Sequence, residues 1–182
     1  MAMLNIHYYG DTILRKKAQP VTVFDEQLKC FVEEMKETMR EHDGVGLAAP
    51  QVGRSIRCVV IDPSKEGNQT FVLINPEFTS VSDETIVHEE GCLSFPDLHV
   101  DVTRHASVSV KAFDETGRAY VIENAVELLA RALQHEIDHL NGLFLIDHIS
   151  LLQRKMLKGK LKKISELNFS ETELSDATAC AR

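Results

Sequence analysis

The sequence predicts a single α+β domain: antiparallel sheets packed around a central helix, with one helix ahead of them and another behind. Three observations predict it. Apolar residues recur at helical spacing in three separate stretches. Alternating, β-branched segments divided by turn residues fill the space between the first two. Helices and strands do not alternate in the regular way that parallel sheets require.

Taken in order, Asp25 is placed to cap a first helix reaching about His42, because Leu28, Phe31, Val32, Met35 and Met39 share one face and Gly44 supplies a stop. The segment Gly44-Val45-Gly46-Leu47-Ala48-Ala49-Pro50-Gln51-Val52-Gly53 follows, with the chemistry of a loop but an unusually apolar composition. Residues 56–61, 70–75 and 107–113 read as antiparallel strands, the last turning through Asp114-Glu115-Thr116-Gly117 into 118–122. Asn124 and Glu127 make a capping pair for a second helix over about 125–141, ended by Gly142. A third covers about 151–167, expected to pack through Leu152, Met156 and Ile164. Residues 1–168 thus form one catalytic domain, and 169–182 are small and polar enough for a disordered tail.

Composition excludes several classes. No apolar run reaches the roughly 18 residues of a membrane span, so no membrane role is expected. The amino-terminal residues carry neither a secretory signal nor an Arg-rich transit peptide, which points to a cytoplasmic chain. Its four cysteines, Cys30, Cys58, Cys92 and Cys180, show no paired spacing and would stay reduced there. The net charge of −8 argues against a nucleic-acid-binding surface over the whole molecule. It conceals one basic segment, Arg154, Lys155, Lys158, Lys160, Lys162 and Lys163.

The second helix carries the chemistry. His135-Glu136-Ile137-Asp138-His139 is an H-E-x-x-H pattern: two imidazoles one turn apart can face a single ion while the glutamate handles protons. At about 100° per residue, both histidines share a line with Leu128 and Ala132. Glu136 projects among Leu129, Leu133 and Leu140, whereas the polar stripe runs through Glu127, Arg131, Gln134 and Asp138. A carboxylate in that apolar arc needs a compensating cation. A metal ion supplies one; an internal ion pair with Arg104 or Arg131 is the plainer alternative.

A catalytic ion takes three protein ligands and keeps one position open. In peptidases that extend the pattern with a third histidine, that ligand would fall on Leu145; His148, Asp147 or Glu166 could serve instead, giving a zinc peptidase. The other candidate is Cys92, which a glycine precedes and a serine and a proline soon follow, so that the backbone can present a side chain and an N–H together.

Three segments, Gly44-Val45-Gly46-Leu47-Ala48-Ala49-Pro50-Gln51, Glu90-Gly91-Cys92-Leu93-Ser94 and Gln134-His135-Glu136-Ile137-Asp138-His139-Leu140, in that order and spacing, resemble the three signature motifs of the peptide deformylases. The likeness extends to about Ser150. It implies removal of the formyl group from nascent N-formylmethionyl peptides, releasing formate, by a monomeric, cytoplasmic, bacterial-type enzyme. It implies one divalent ion per chain on Cys92, His135 and His139, Fe(II) natively with Zn(II) or Ni(II) in purified forms. Glu136 becomes the general acid and base, while the Gln51 amide and the Leu93 N–H hold the developing oxyanion.

Leu128 and Ala132 then wall an apolar methionine pocket, and Val45, Gly46 and Gly91 bind the substrate main chain by strand addition. Arg104 is expected to pair with Glu90 or Asp138 and so brace Cys92 against the histidine helix. His88 departs from the family pattern; strand alternation allows it to face the site. The basic carboxy-terminal helix is a candidate for ribosome contact.

Overall fold

The computed structural model describes residues 3–64 and 69–179, with side chains through Asn168. Asp25 starts helix α1, Glu26–Glu41, by accepting the Leu28 N–H at 2.9 Å. The helix buries Leu28, Phe31, Val32, Met35 and Met39, as their spacing predicts. Its end differs in detail from the expected glycine stop. Asp43 takes the left-handed conformation, φ 52°, and the Gly44 N–H returns to the Met39 carbonyl at 2.9 Å.

The strands are β1 (Gly46–Ala48), β2 (Cys58–Ile61), β3 (Phe71–Val81), β4 (Thr85–Cys92), β5 (Phe95–His105), β6 (Ser107–Phe113) and β7 (Ala119–Val126). They form a five-stranded sheet, β1-β2-β3-β6-β7, and a separate hairpin, β4-β5, with antiparallel pairing throughout. Three strands, β1, β4 and β5, depart from the sequence reading. The Gly44 to Gln51 segment contributes an edge strand, Leu47 pairing with Val60, before its Ala49–Val52 3-10 turn. A backbone so thoroughly buried must find partners, and the sheet edge provides them. The β4-β5 hairpin was not expected: β4 carries charges at Glu89 and Glu90, and pattern alone hides a strand whose polar groups are satisfied elsewhere.

Helix α2, Glu127–Leu140, crosses one face of the large sheet and also touches β5. On β2, Val59 and Ile61 face α2 while Cys58 and Val60 face α1, so a strand buried on both sides reads as an unbroken apolar run. The expected Asn124–Glu127 cap does not form. Asn124 lies in β7, its N–H donated to the Ser109 hydroxyl, and Val126 precedes the helix without a side-chain cap. Gly142 does end it. At φ 73° it lies so close to the Arg15 carbonyl that any Cβ would collide with it.

The predicted third helix is two, α3 (Leu151–Met156) and α4 (Lys158–Ala179). Leu161 and Ile164 bury against Phe95, Leu98 and Phe144, whereas Leu152 and Met156 are exposed, so only Ile164 of the expected packing residues packs. The break after Met156 rotates the apolar stripe away from the first two. The expected tail, 169–182, falls on residues whose side chains lie outside the described set, and 180–182, with Cys180, lie outside it altogether. No helix among the described residues is long and apolar enough to cross a membrane.

Leu133 joins α2 to Leu73 and Val110 of the sheet in one cluster and is fully buried. Leu133→Ala is expected to cost about 3 kcal/mol through lost transfer energy and a residual cavity; denaturant unfolding of the two proteins measures it.

Candidate metal centre

One turn apart on α2, His135 and His139 bring their Nε2 atoms to 3.3 Å from each other. Cys92 is the last residue of β4, and its Sγ lies 3.3 Å from the His139 Nε2. The three ligand atoms all fall within 4.8 Å of one another. Tetrahedral coordination with zinc-like bond lengths needs nitrogens about 3.3 Å apart and sulfur about 3.6 Å from each. The donor set and its spacing fit a divalent ion.

Glu90, two residues before Cys92, joins β4 to α2. Its carboxylate accepts from Arg104 Nε (Oε1) and Nη2 (Oε2), each at 3.0 Å, from Arg131 Nη1 at 2.9 Å and from His135 Nδ1 at 3.0 Å. Burial pushes this carboxyl upward, but the hydrogen bonds from His135 and Arg104 and their charges outweigh it and hold Glu90 well below the usual carboxylate range. Arg104 reaches onward to Asp138 at 2.5 Å, so it pairs with both expected acids at once. Without an ion, burial would lower the His135 pKa; the hydrogen bonds to Cys92 and Glu90 prevail and raise it well above normal. His139 moves the other way, lowered by burial and by the His135 charge.

Both arginines are committed to Glu90, which removes the internal ion pair as the explanation of Glu136. The Glu136 carboxylate is buried and its Oε2 has no hydrogen-bond partner among the described residues. Burial, moderated by the His135 charge, lifts its pKa to about 7. The backbone of Gly46 passes so close that a Cβ there would sit 2.5 Å from Oε1, so any side chain at 46 would have to displace the carboxylate. Gln51 is equally enclosed. Its Oε1 accepts the Ala48 N–H at 2.8 Å, which turns Nε2 toward Cys92 Sγ at 3.5 Å and the Ser94 hydroxyl at 3.2 Å.

A cleft of about 620 Å³ opens over these groups. Val45, Gly46, Gly91, Leu128 and Ala132, expected to bind substrate, line it together with Leu93. Part of the backbone expected to be free is already engaged: the Val45 carbonyl accepts the Asp62 N–H, and Ala48 donates to Gln51. His88 is exposed beside the Glu89 carbonyl and absent from the cleft lining. The sequence reading missed His99, which lines the cleft from β5 and stands out by neither type nor spacing.

Beyond exposed Glu127, the polar stripe of α2 is not a solvent face. Gln134 clamps both backbone groups of His105, Arg131 holds Glu90 and the Ile86 carbonyl, and Asp138 holds Arg104. Polarity there answers the hairpin rather than water. The downstream ligand candidates are engaged elsewhere: His148 with Asp138, Asp147 with Arg15 and Arg154, and Glu166, on α4, with Lys162.

The family model for polypeptide deformylases matches residues 3–155. The chain belongs to the peptide deformylase family. It is 49% identical over 163 residues to the peptide deformylase of Thermotoga maritima, covering 90% of this chain and 97% of the relative, and 46% identical over 166 residues to that of Brucella suis, covering 90% and 94%. The crystal structure of a peptide deformylase from Legionella pneumophila superposes with a TM-score of 0.86 at 44% identity, covering 92% of this chain and 98% of that one. A plant peptide deformylase gives 0.87 at 37% identity, with 93% of each chain covered. The family is metal-dependent, and its function is deformylation of nascent peptides.

For this deformylase without metal, the raised Glu136 pKa sets a sign. Between the ordinary 4.5 and about 7 the unfolded chain ionises this group while the folded protein keeps its proton, so stability falls as pH rises through that window and levels off above it. The gap amounts to about 3 kcal/mol. Metal-free Glu136→Gln protein should therefore unfold at higher denaturant than its parent at pH 8 and match it at about pH 4.5. Equal stability of the two at pH 8 would show that burial does not raise the Glu136 pKa.

Proposed function

We propose that this chain removes the formyl group from newly made polypeptides beginning with N-formylmethionine, releasing formate, with Cys92, His135 and His139 holding one divalent ion. The observation that carries this reading is the convergence of those three ligand atoms beside a buried carboxylate that has an unpartnered oxygen, at the floor of an open cleft. A thiolate with two imidazoles suits Fe(II), the native ion in this reading, and accepts Zn(II) or Ni(II). When bound, the ion supplies Lewis acidity and lowers the pKa of a coordinated water.

The chain's own residues do the rest. Glu136, with a pKa near working pH, takes a proton from the attacking water and returns it to the leaving amine. Gln51 is prevented from rotating by the Ala48 N–H, so its Nε2 is set in advance to donate to the developing oxyanion, with the Leu93 N–H as second donor. Leu128 and Ala132 receive the unbranched methionine side chain. Val45, Gly46 and Gly91 bind the peptide main chain as a strand added along the open edge of β1. Recognition through the main chain tolerates many residues after methionine, as a cytoplasmic enzyme acting on every new chain requires. The chain works as a monomer in this reading.

A further part of the proposal is ribosome contact through the basic segment from Arg154 to Lys163, of which Lys155, Lys158, Lys160, Lys162 and Lys163 are exposed. Proximity to emerging chains would raise the local substrate concentration.

Iron- or zinc-loaded protein is expected to release formate from a formyl-Met tripeptide. Cys92→Ser should lose the ion and more than about 100-fold in kcat/KM, since it removes a ligand outright. No formate from the loaded protein, or one ion per chain retained by Cys92→Ser on elemental analysis, would sink the assignment. Cosedimentation with ribosomes should weaken steeply with salt and after Lys155, Lys158 and Lys162 are exchanged for alanine; unchanged pelleting by that variant removes the ribosome contact.

A further inference from the structure

Outside the cleft, the charged network on Glu90 does not end at Arg104. Asp138 Oδ2 takes Arg104 Nη1 at 2.5 Å and His148 Nε2 at 2.7 Å, and those two nitrogens are 3.3 Å apart. A guanidinium can only donate and an ionised carboxylate can only accept. The His148 proton therefore lies on Nε2, and the two donors share one oxygen from different sides. Arg104 has its fork on both oxygens of Glu90, and Glu90 in turn takes the His135 Nδ1. Four hydrogen bonds thus link His148, on the protein surface, to a proposed metal ligand.

The outer end of this chain is anchored independently of the metal centre. His148 closes the 3-10 turn Leu145–Asp147. Asp147 fixes that turn by accepting from the Phe144 N–H at 2.8 Å, from both terminal nitrogens of Arg15 and from Arg154. The inner links, Glu90 and Arg104, are buried, so no water stands ready to replace a lost contact. If Asp138 followed Arg104 alone, guanidinium and carboxylate could drift together. The second donor, from a rigid turn, gives Asp138 one position and Arg104 one angle.

We propose that His148 is a positioning residue for the metal centre, acting through Asp138, Arg104 and Glu90 to hold His135 in its ligating orientation. The inference rests on the reading of Cys92, His135 and His139 as the ligands.

The test uses zinc-loaded parent, His148→Phe, His148→Gln and Cys92→Ser proteins. It records zinc transfer to a chromogenic chelator, together with kcat and KM for formate release. His148→Phe fills the space without a donor and should release zinc about 10-fold faster, with a lower kcat and a KM changed by less than about twofold. His148→Gln can still donate to Asp138 and should return zinc release to within about threefold of the parent. Parental zinc release by His148→Phe, with zinc lost from Cys92→Ser, overturns the inference alone. So does a His148→Gln protein as impaired as His148→Phe. Zinc retained by Cys92→Ser overturns the ligand reading and this inference with it.

Discussion

Glu90 is a carboxylate taken out of water at the junction of the β4-β5 hairpin and α2. Removing such a charge from solvent costs several kcal/mol unless its lone pairs are filled. Here four donor contacts fill them: two from Arg104, one from Arg131 and one from His135. The residues involved come from β4, β5 and α2, so the charge is neutralised only when all three elements are docked. Cys92 follows Glu90 by two positions, and docking therefore delivers the thiol to the histidines. The ligand from the strand and the ligands from the helix meet because of an ion network that touches only one of them.

The same network makes the two histidines unequal. His135 gives Nδ1 to an anion, whereas the Nδ1 of His139 has no hydrogen-bond partner among the described residues and the His139 ring lies 6.2 Å from Phe144. Burial keeps His139 neutral with Nε2 available, while His135 without metal is held in its charged form. An ion held by His135 Nε2 would displace the proton there, while the Nδ1 proton stays on His135 and is donated to Glu90. The orientation of the ring is set before the ion arrives.

Packing explains why so many polar side chains sit inside. Helix α2 lies between the large sheet and the hairpin, so it has no broad solvent face. One side is apolar, through Ala130, Leu133, Ile137 and Leu140. The side toward the hairpin exchanges hydrogen bonds through Gln134, Arg131 and Asp138. Glu136 lies between them, confined by the Gly46 backbone, at an edge that opens to the cleft.

The sequence by itself determined the helices that repeat at 3.6 residues, the four central strands that alternate, and the family. It also brought Cys92, His135 and His139 forward as candidate ligands, because His135 and His139 share a helix face and three short motifs recur together. These features are local: spacing and residue type carry them. The pairing of Arg104 with Glu90 or Asp138 was expected from charge and position; tertiary structure alone decided that it takes both and how Arg131 and His148 join them, because charged residues far apart in the chain carry no periodic mark of their partners. It decided that the Gly44 to Gln51 segment is an edge strand, since its hydrogen bonds come from β2. It decided also that the polar stripe of α2 faces protein. Hydrophobic pattern reports burial only where burial is apolar; a polar face satisfied by another polar face looks, in sequence, like a surface.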